Sequence, residues 1–164
     1  MTGIWWQEVG NTVWQEFSDL PDAADVTRIT LRLLVAAILG GILGFEREQK
    51  GKAAGLRTHM LVALGAALFV LIPQQAGVSD ADLTRVLQGL VAGIGFLGAG
   101  TIIKGRGEEE IQGLTTAAGI WLTAAIGVSA GMGREATAVF STLLALGILY
   151  AAPKIARRFE NRDN

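Results

Sequence analysis

The charged residues of this chain fall in short clusters. Between them run near-neutral stretches of about 15 to 20 residues, long enough for a helix rising about 1.5 Å per residue to cross an apolar slab about 30 Å thick. A soluble domain spreads its charges along the chain, because each of its elements keeps a wet face. Here 51% of residues are hydrophobic, 18% are charged, and the mean hydropathy is +0.42. In lipid every backbone N–H and C=O must find its partner inside the segment, so segments of this length are helices. The fold expected is an all-α membrane protein.

Other features exclude function classes. A length of 164 residues holds one domain of ordinary size. A net charge of −1 sets up no field for a nucleic acid. The absence of cysteine removes disulfides, thiolate chemistry and Cys-based zinc sites. His59 is the one histidine, which excludes a multi-histidine metal site within one subunit. Glu8, Glu16 and Asp19 stand where a cleaved signal peptide would carry basic residues, so none is expected.

Three regions follow. Residues 1–25 form an N-terminal segment in which Trp6, Val9, Val13, Phe17 and Leu20 share one helical face, with Trp5 and Trp14 nearby. Two readings stand for it: an amphipathic helix lying in the membrane interface, or a helix packed on its own bundle or on a partner. Residues 29–151 hold about five spans: 29–45, 59–72 ending at Pro73, 86–103, 114–130 and 136–151. Residues 152–164 form a short basic tail. Arg47, Lys50, Lys52, Arg57, Lys104, Arg106, Lys154, Arg157, Arg158 and Arg162 collect on one side of such a bundle. Arg28, Arg32, Arg85 and Arg134 fall on the other. The positive-inside rule then places the N-terminus outside and the C-terminus in the cytoplasm.

Three segments carry more than composition. The third expected span holds Gly89, Gly93, Gly95, Gly98 and Gly100. Gly89 and Gly93 form a small-xxx-small pair that lets helix backbones touch. The readings are a helix buried at the bundle centre, a broken helix exposing backbone to an ion or substrate, or a subunit interface. The loop from Glu46 to His59 is compact and carries both signs of charge. Thr58 is a candidate N-cap. Arg57 and His59 are cations against the positive end of a helix, which calls for a partner such as Glu46 or an anionic ligand. The expected polar cluster is therefore Glu46, Arg47, Arg57, Thr58 and His59. In the segment 111–121, Thr115 and Thr116 are read as capping or bonding back to the helix, and Trp121 as packing on the glycines of the third span. For magnesium, Asp80 and Asp82 outside and Glu108, Glu109 and Glu110 inside are available. No span holds an acidic residue near its midpoint, which argues against a dedicated ion pathway.

Gly55-Leu56-Arg57-Thr58-His59, then Gly93-Ile94-Gly95-Phe96-Leu97-Gly98-Ala99-Gly100, then Gly113-Leu114-Thr115-Thr116-Ala117-Ala118 resemble the MgtC/SapB family of bacterial inner-membrane proteins. Arg32, Leu33 and Leu34 leading to Gly40-Gly41 and Glu46-Arg47 are similar to its first span. The resemblance covers residues 29 to 150. It implies a polytopic protein of the inner membrane, associated with growth in low magnesium, survival of pathogens inside macrophages and regulation of the proton-driven ATP synthase. The family was long described as magnesium transporters. Its best-studied members add a soluble ACT-like C-terminal domain, and this sequence is read as a short form without it.

The function expected is non-enzymatic: binding membrane partners, the ATP synthase among them, or self-association as a homo-oligomer, in adaptation to low magnesium or acid stress. His59, with an ordinary pKa of about 6.5, would let the polar cluster respond to acidification. No cofactor is expected, with Mg²⁺ at most a ligand or signal. The alternative is an oligomeric transporter or channel for Mg²⁺ or another small ion.

Overall fold

The computed structural model describes residues 2–18, 22–104 and 111–160. These form α1 (Thr2–Glu16), α2 (Ala23–Gln49), α3 (Leu56–Gln75), α4 (Asp80–Ala99), strands β1 (Ile103–Lys104) and β2 (Ile111–Gln112), α5 (Leu114–Gly131) and α6 (Glu135–Glu160). The two strands pair antiparallel between α4 and α5, a hairpin that no alternation in the sequence announces. Arg106, Glu108, Glu109 and Glu110 lie outside the described residues, as do Asp19 and Arg162.

Residues 1–31 and 32–164 are two compact units. In the first, α1 exposes Trp5, Trp6, Val9, Val13 and Trp14, Phe17 is exposed just after it, and the rings of Trp5 and Trp6 meet edge-on at 4.4 Å. The start of α2 is capped by the Asp22 carboxylate, which accepts the Asp25 N–H at 2.8 Å.

The second unit is built on α3 and α5. Gly119 lies against His59, Gly127 against Ala63 and Gly131 against Ala67, so the two helices ascend together and are parallel. A Cβ at Gly127 would stand 2.2 Å from the Ala63 carbonyl oxygen, and one at Gly131 2.5 Å from that of Ala67. The helices thus touch backbone to backbone, the packing that lipid-embedded helices need in place of a hydrophobic drive. On one flank Ala36, Leu39, Leu43, Ile126, Ala130, Ala138 and Ala145 bring α2 and α6 onto the pair. On the other Ala66, Ile94, Ile120 and Ala124 bring in α4. Helix α2 runs antiparallel to α3, with Gly40 and Gly44 against His59 and Leu56.

At one end Arg32 draws four helices together. Its Nη1 donates to the Gly131 carbonyl oxygen at 3.0 Å and to Gln74 Oε1 at 3.4 Å, and its Nε lies 3.9 Å from Glu135 Oε1. A cation on the last carbonyls of α5 suits the negative end of that helix. Gly133 turns the chain from α5 to α6 at φ +73°, and a Cβ there would meet the guanidinium at 2.4 Å. Both the turn and the contact require glycine.

Several expectations change. Four helices, α2, α3, α5 and α6, are long and apolar enough to cross a membrane. The expected third span corresponds to α4, which begins earlier and carries Asp80, Asp82 and Arg85 in its opening turns. Those charges take it out of the group. They serve its start: Ser79 accepts the Asp82 N–H at 3.3 Å, and Arg85 pairs with Asp82 at 2.5 Å. Helix α3 does not stop at Pro73; it continues to Gln75, since a proline near the last turn forfeits only one hydrogen bond. The tail is not separate from the last span, because α6 runs on past Pro153 to Glu160.

The seam gives a first prediction. Gly127→Ala should destabilise the fold by about 1–3 kcal/mol through overpacking against the Ala63 backbone. Thermal unfolding in detergent, followed by size-exclusion chromatography, measures it; an unshifted melting temperature would contradict the contact.

Candidate functional site

At the end of the bundle opposite Arg32, the segment joining α2 to α3 is folded by two glycines and one carboxylate. Gly51, at φ +62°, ends α2 in the left-handed conformation. Gly55 is the N-cap of α3 and offers no side chain to it. The cap comes from Glu48, whose Oε2 accepts the Leu56 N–H at 2.8 Å. A Cβ at Gly55 would stand 2.5 Å from that oxygen, so a larger residue there would displace the carboxylate from this position. The N-cap is thus Gly55 rather than Thr58. Glu48 is the residue that sequence reasoning passed over; its signal was an acid upstream of a helix start with no capping side chain of its own.

Helix periodicity divides the expected cluster. Arg57 and His59 are two residues apart, about 200° around the helix, and cannot face the same partner. Arg57 and Thr58 are exposed, whereas His59 is fully buried. Glu46 pairs with its neighbour Arg47, which is 4% exposed, and not with Arg57. The site therefore brings together Glu46, Arg47 and His59 and leaves Arg57 and Thr58 on the surface.

His59 Nδ1 lies 2.9 Å from the Gly55 carbonyl oxygen. An oxygen there only accepts, so Nδ1 carries the proton and the neutral ring presents Nε2 as an acceptor. Nε2 is buried and has no hydrogen-bond partner among the described residues. It faces Gly119, where a Cβ would come within 3.5 Å. Around it is a cavity of about 170 Å³ lined by Leu43, Arg47, Thr115, Ala118, Leu122 and Leu149 among others. A second cavity of about 500 Å³ shares Arg47, Thr115, Ile148 and Leu149 with the first and adds Glu46, Lys50, Lys52, Tyr150 and Lys154. Lys154 Nζ stands 3.7 Å over the Tyr150 ring.

Thr115 and Thr116 open α5 without capping it. The N-cap is Gly113, at φ +93°, where a Cβ would lie 1.9 Å from the Thr101 carbonyl oxygen. Thr115 lines both cavities and Thr116 is buried. Of the α4 glycines, Gly98 is buried facing Ala117, whose Cβ would lie 3.5 Å from a Cβ placed there, and Gly100 is the C-cap of the helix. A Cβ at Gly89, Gly93 or Gly95 would meet nothing within 4 Å, so α4 is not the crowded centre. Trp121 is 49% exposed and does not cover those glycines. Among the described residues, no three of His, Asp and Glu gather in a way that would hold a metal ion.

Four apolar helices with buried small-residue seams define an integral membrane protein. The chain belongs to the MgtC family, which it matches over residues 33–158. It is 40% identical to Protein SrpB of Synechococcus elongatus over 140 residues, covering 79% of this chain and 77% of that protein. It is 38% identical to the putative magnesium transporter YhiD of Escherichia coli K12, over 81% of this chain and 64% of YhiD. Protein MgtC of Brucella abortus is 44% identical over 69% of this chain, and the chain spans 46% of its length. No solved structure matches the chain.

The capping geometry is testable. Glu48→Ala should cost about 0.5–2 kcal/mol, the usual value of an N-cap. Amide hydrogen exchange at residues 56–59 should speed up, while exchange in the α5 core stays as it was. Unchanged protection would mean that the carboxylate does not cap α3.

Proposed function

We propose that this chain is a non-enzymatic protein of the bacterial inner membrane, which works by helix–helix association in adaptation to low magnesium or acid stress. The observation that carries the reading is the outer face of α4. Gly89 and Gly93, four residues apart, share that face, while Gly95 lies on another side of the helix; all three are exposed, and a Cβ at any of them would meet nothing within 4 Å among the described residues. In water an interior glycine costs about 1 kcal/mol relative to alanine. A flat glycine surface returns that cost when a second backbone approaches it. The occupant is another membrane protein or a second copy.

The same reading takes α4 across the bilayer. Because α3 and α5 are parallel, the chain between them must return from the end of one to the start of the other. Helix α4, of 20 residues, is the element that makes the return, and it would rise about 30 Å. That makes five crossings. The end bearing Arg47, Lys50, Lys52 and Lys154 is then cytoplasmic, with the N-terminus outside. The transport alternative has less behind it. The printed name of YhiD favours it, but the seams among α2, α3 and α5 are closed at backbone contact.

The chain has no cysteine, which makes a clean test possible. A single Ala92→Cys on the exposed face of α4 should crosslink in native membranes to a copy or a partner, and adding Gly93→Leu should abolish the adduct. Folding stability should not fall, and removal of the helix glycine should raise it by up to about 1 kcal/mol. Adducts that persist with both Gly89→Leu and Gly93→Leu would remove α4 as the contact surface. Flux of ²⁸Mg²⁺ into liposomes holding the purified protein would favour transport instead.

A further inference from the structure

We infer that the two joined cavities at the His59 end form a binding site for one anionic phospholipid. The site is distinct from the α4 face and does not depend on the function proposed for it. Three observations on separate elements converge here.

The first is charge. Lys50 and Lys52 after α2 and Lys154 on α6 line the mouth of the larger cavity. Arg47 is matched by Glu46, but among the described residues no carboxylate forms an ion pair with Lys50, Lys52 or Lys154, and Lys154 stands over the Tyr150 ring. Three unneutralised ammonium groups around one opening are complementary to a phosphate, and each such group near a bilayer surface attracts an anionic headgroup.

The second is the wall behind that mouth. Ile148, Leu149, Ala152 and Pro153 on α6 give the larger cavity an apolar side. The smaller one continues it with Leu43, Ala118, Leu122 and Ala145. A free phosphate has no use for such a wall, whereas the glycerol backbone and first methylenes of a lipid would lie along it. The larger cavity's 500 Å³ falls in the usual range for small-ligand sites, about 300–1,000 Å³.

The third is the unpartnered Nε2 of fully buried His59, on the wall of the inner cavity. A buried acceptor without a donor is costly. A headgroup hydroxyl would satisfy it. Phosphatidylglycerol carries the phosphate and the hydroxyl together and is the probe of choice.

The test is native mass spectrometry of the full chain in detergent, titrated with dioleoyl-phosphatidylglycerol or dioleoyl-phosphatidylcholine. One phosphatidylglycerol should be retained per protomer, at least about tenfold more tightly than phosphatidylcholine. The triple variant Lys50→Gln, Lys52→Gln, Lys154→Gln should lose that preference and keep its lipid-free melting temperature. Ala118→Phe should weaken binding by filling the inner cavity while leaving all three charges in place. Equal retention of the two lipids, or an unaffected triple variant, would overturn the inference. So would displacement of the bound lipid by millimolar inorganic phosphate, which would make the ligand a free anion.

Discussion

Gly127 and Gly131 let α5 lie on α3 at backbone distance, and the rest of the unit is arranged around that contact. Between helices in lipid there is no hydrophobic gain, since lipid tails are as apolar as leucine. What holds them is dispersion, which falls off steeply with a gap of even half an ångström, and so close approach decides association. The contact also fixes direction: because the two helices are parallel, the chain joining them must come back past them. With α4 lying against α3 and α5, the pair gains a core of alanines and isoleucines on that flank, and α2 and α6 make the matching core on the other.

Polar groups inside such a unit must be satisfied close to home. Thr123 and Thr142 are buried and bond back to the Gly119 and Ala138 carbonyl oxygens at 2.8 Å each. Arg47 is held by the adjacent Glu46. At the Arg32 end the guanidinium reaches a carbonyl, an amide and a carboxylate from three other helices, while its Nε, 3.9 Å from Glu135, makes no hydrogen bond among the described residues. The His59 end holds a second such atom, His59 Nε2, together with two cavities that share Arg47, Thr115, Ile148 and Leu149 and three lysines lining the larger one. One end ties four helices together, and the other surrounds a space.

Much of the fold was legible because it rests on one-dimensional quantities. Run length, charge spacing and the basic loops located α3 and α5 to within three residues, whereas α2, α4 and α6 begin or end six to nine residues away from the expected spans. Their extents shifted where local chemistry intervened, as at Pro73 and in the acidic start of α4. The site was legible only in part. Both Arg57 and His59 stand at a helix start; helix periodicity sets them about 200° apart, and what α3 packs on decides which of the two faces inward. Glu48 acts across a turn closed by Gly51 and Gly55, a relation between distant backbone atoms that spacing does not encode. Glycine was the hardest residue to read. With 22 in the chain, composition shows that close approach matters but not which ones make it. The dense cluster in α4 drew attention, while the contacts belong to Gly40, Gly44, Gly127 and Gly131, scattered over two other helices.

That misplacement is itself informative about α4. Each glycine in a helix interior forfeits backbone rigidity and side-chain packing, and the seam glycines recover both through the backbone they touch. Gly89, Gly93 and Gly95 recover nothing within their own chain. Alanine at those positions would meet no obstacle and would stiffen the helix. A sequence fixed by the protomer's own packing has no reason to keep three such positions on one short stretch. The association proposed above would supply the compensating contact from outside the protomer, since a second helix backbone is a surface that glycine fits better than alanine does.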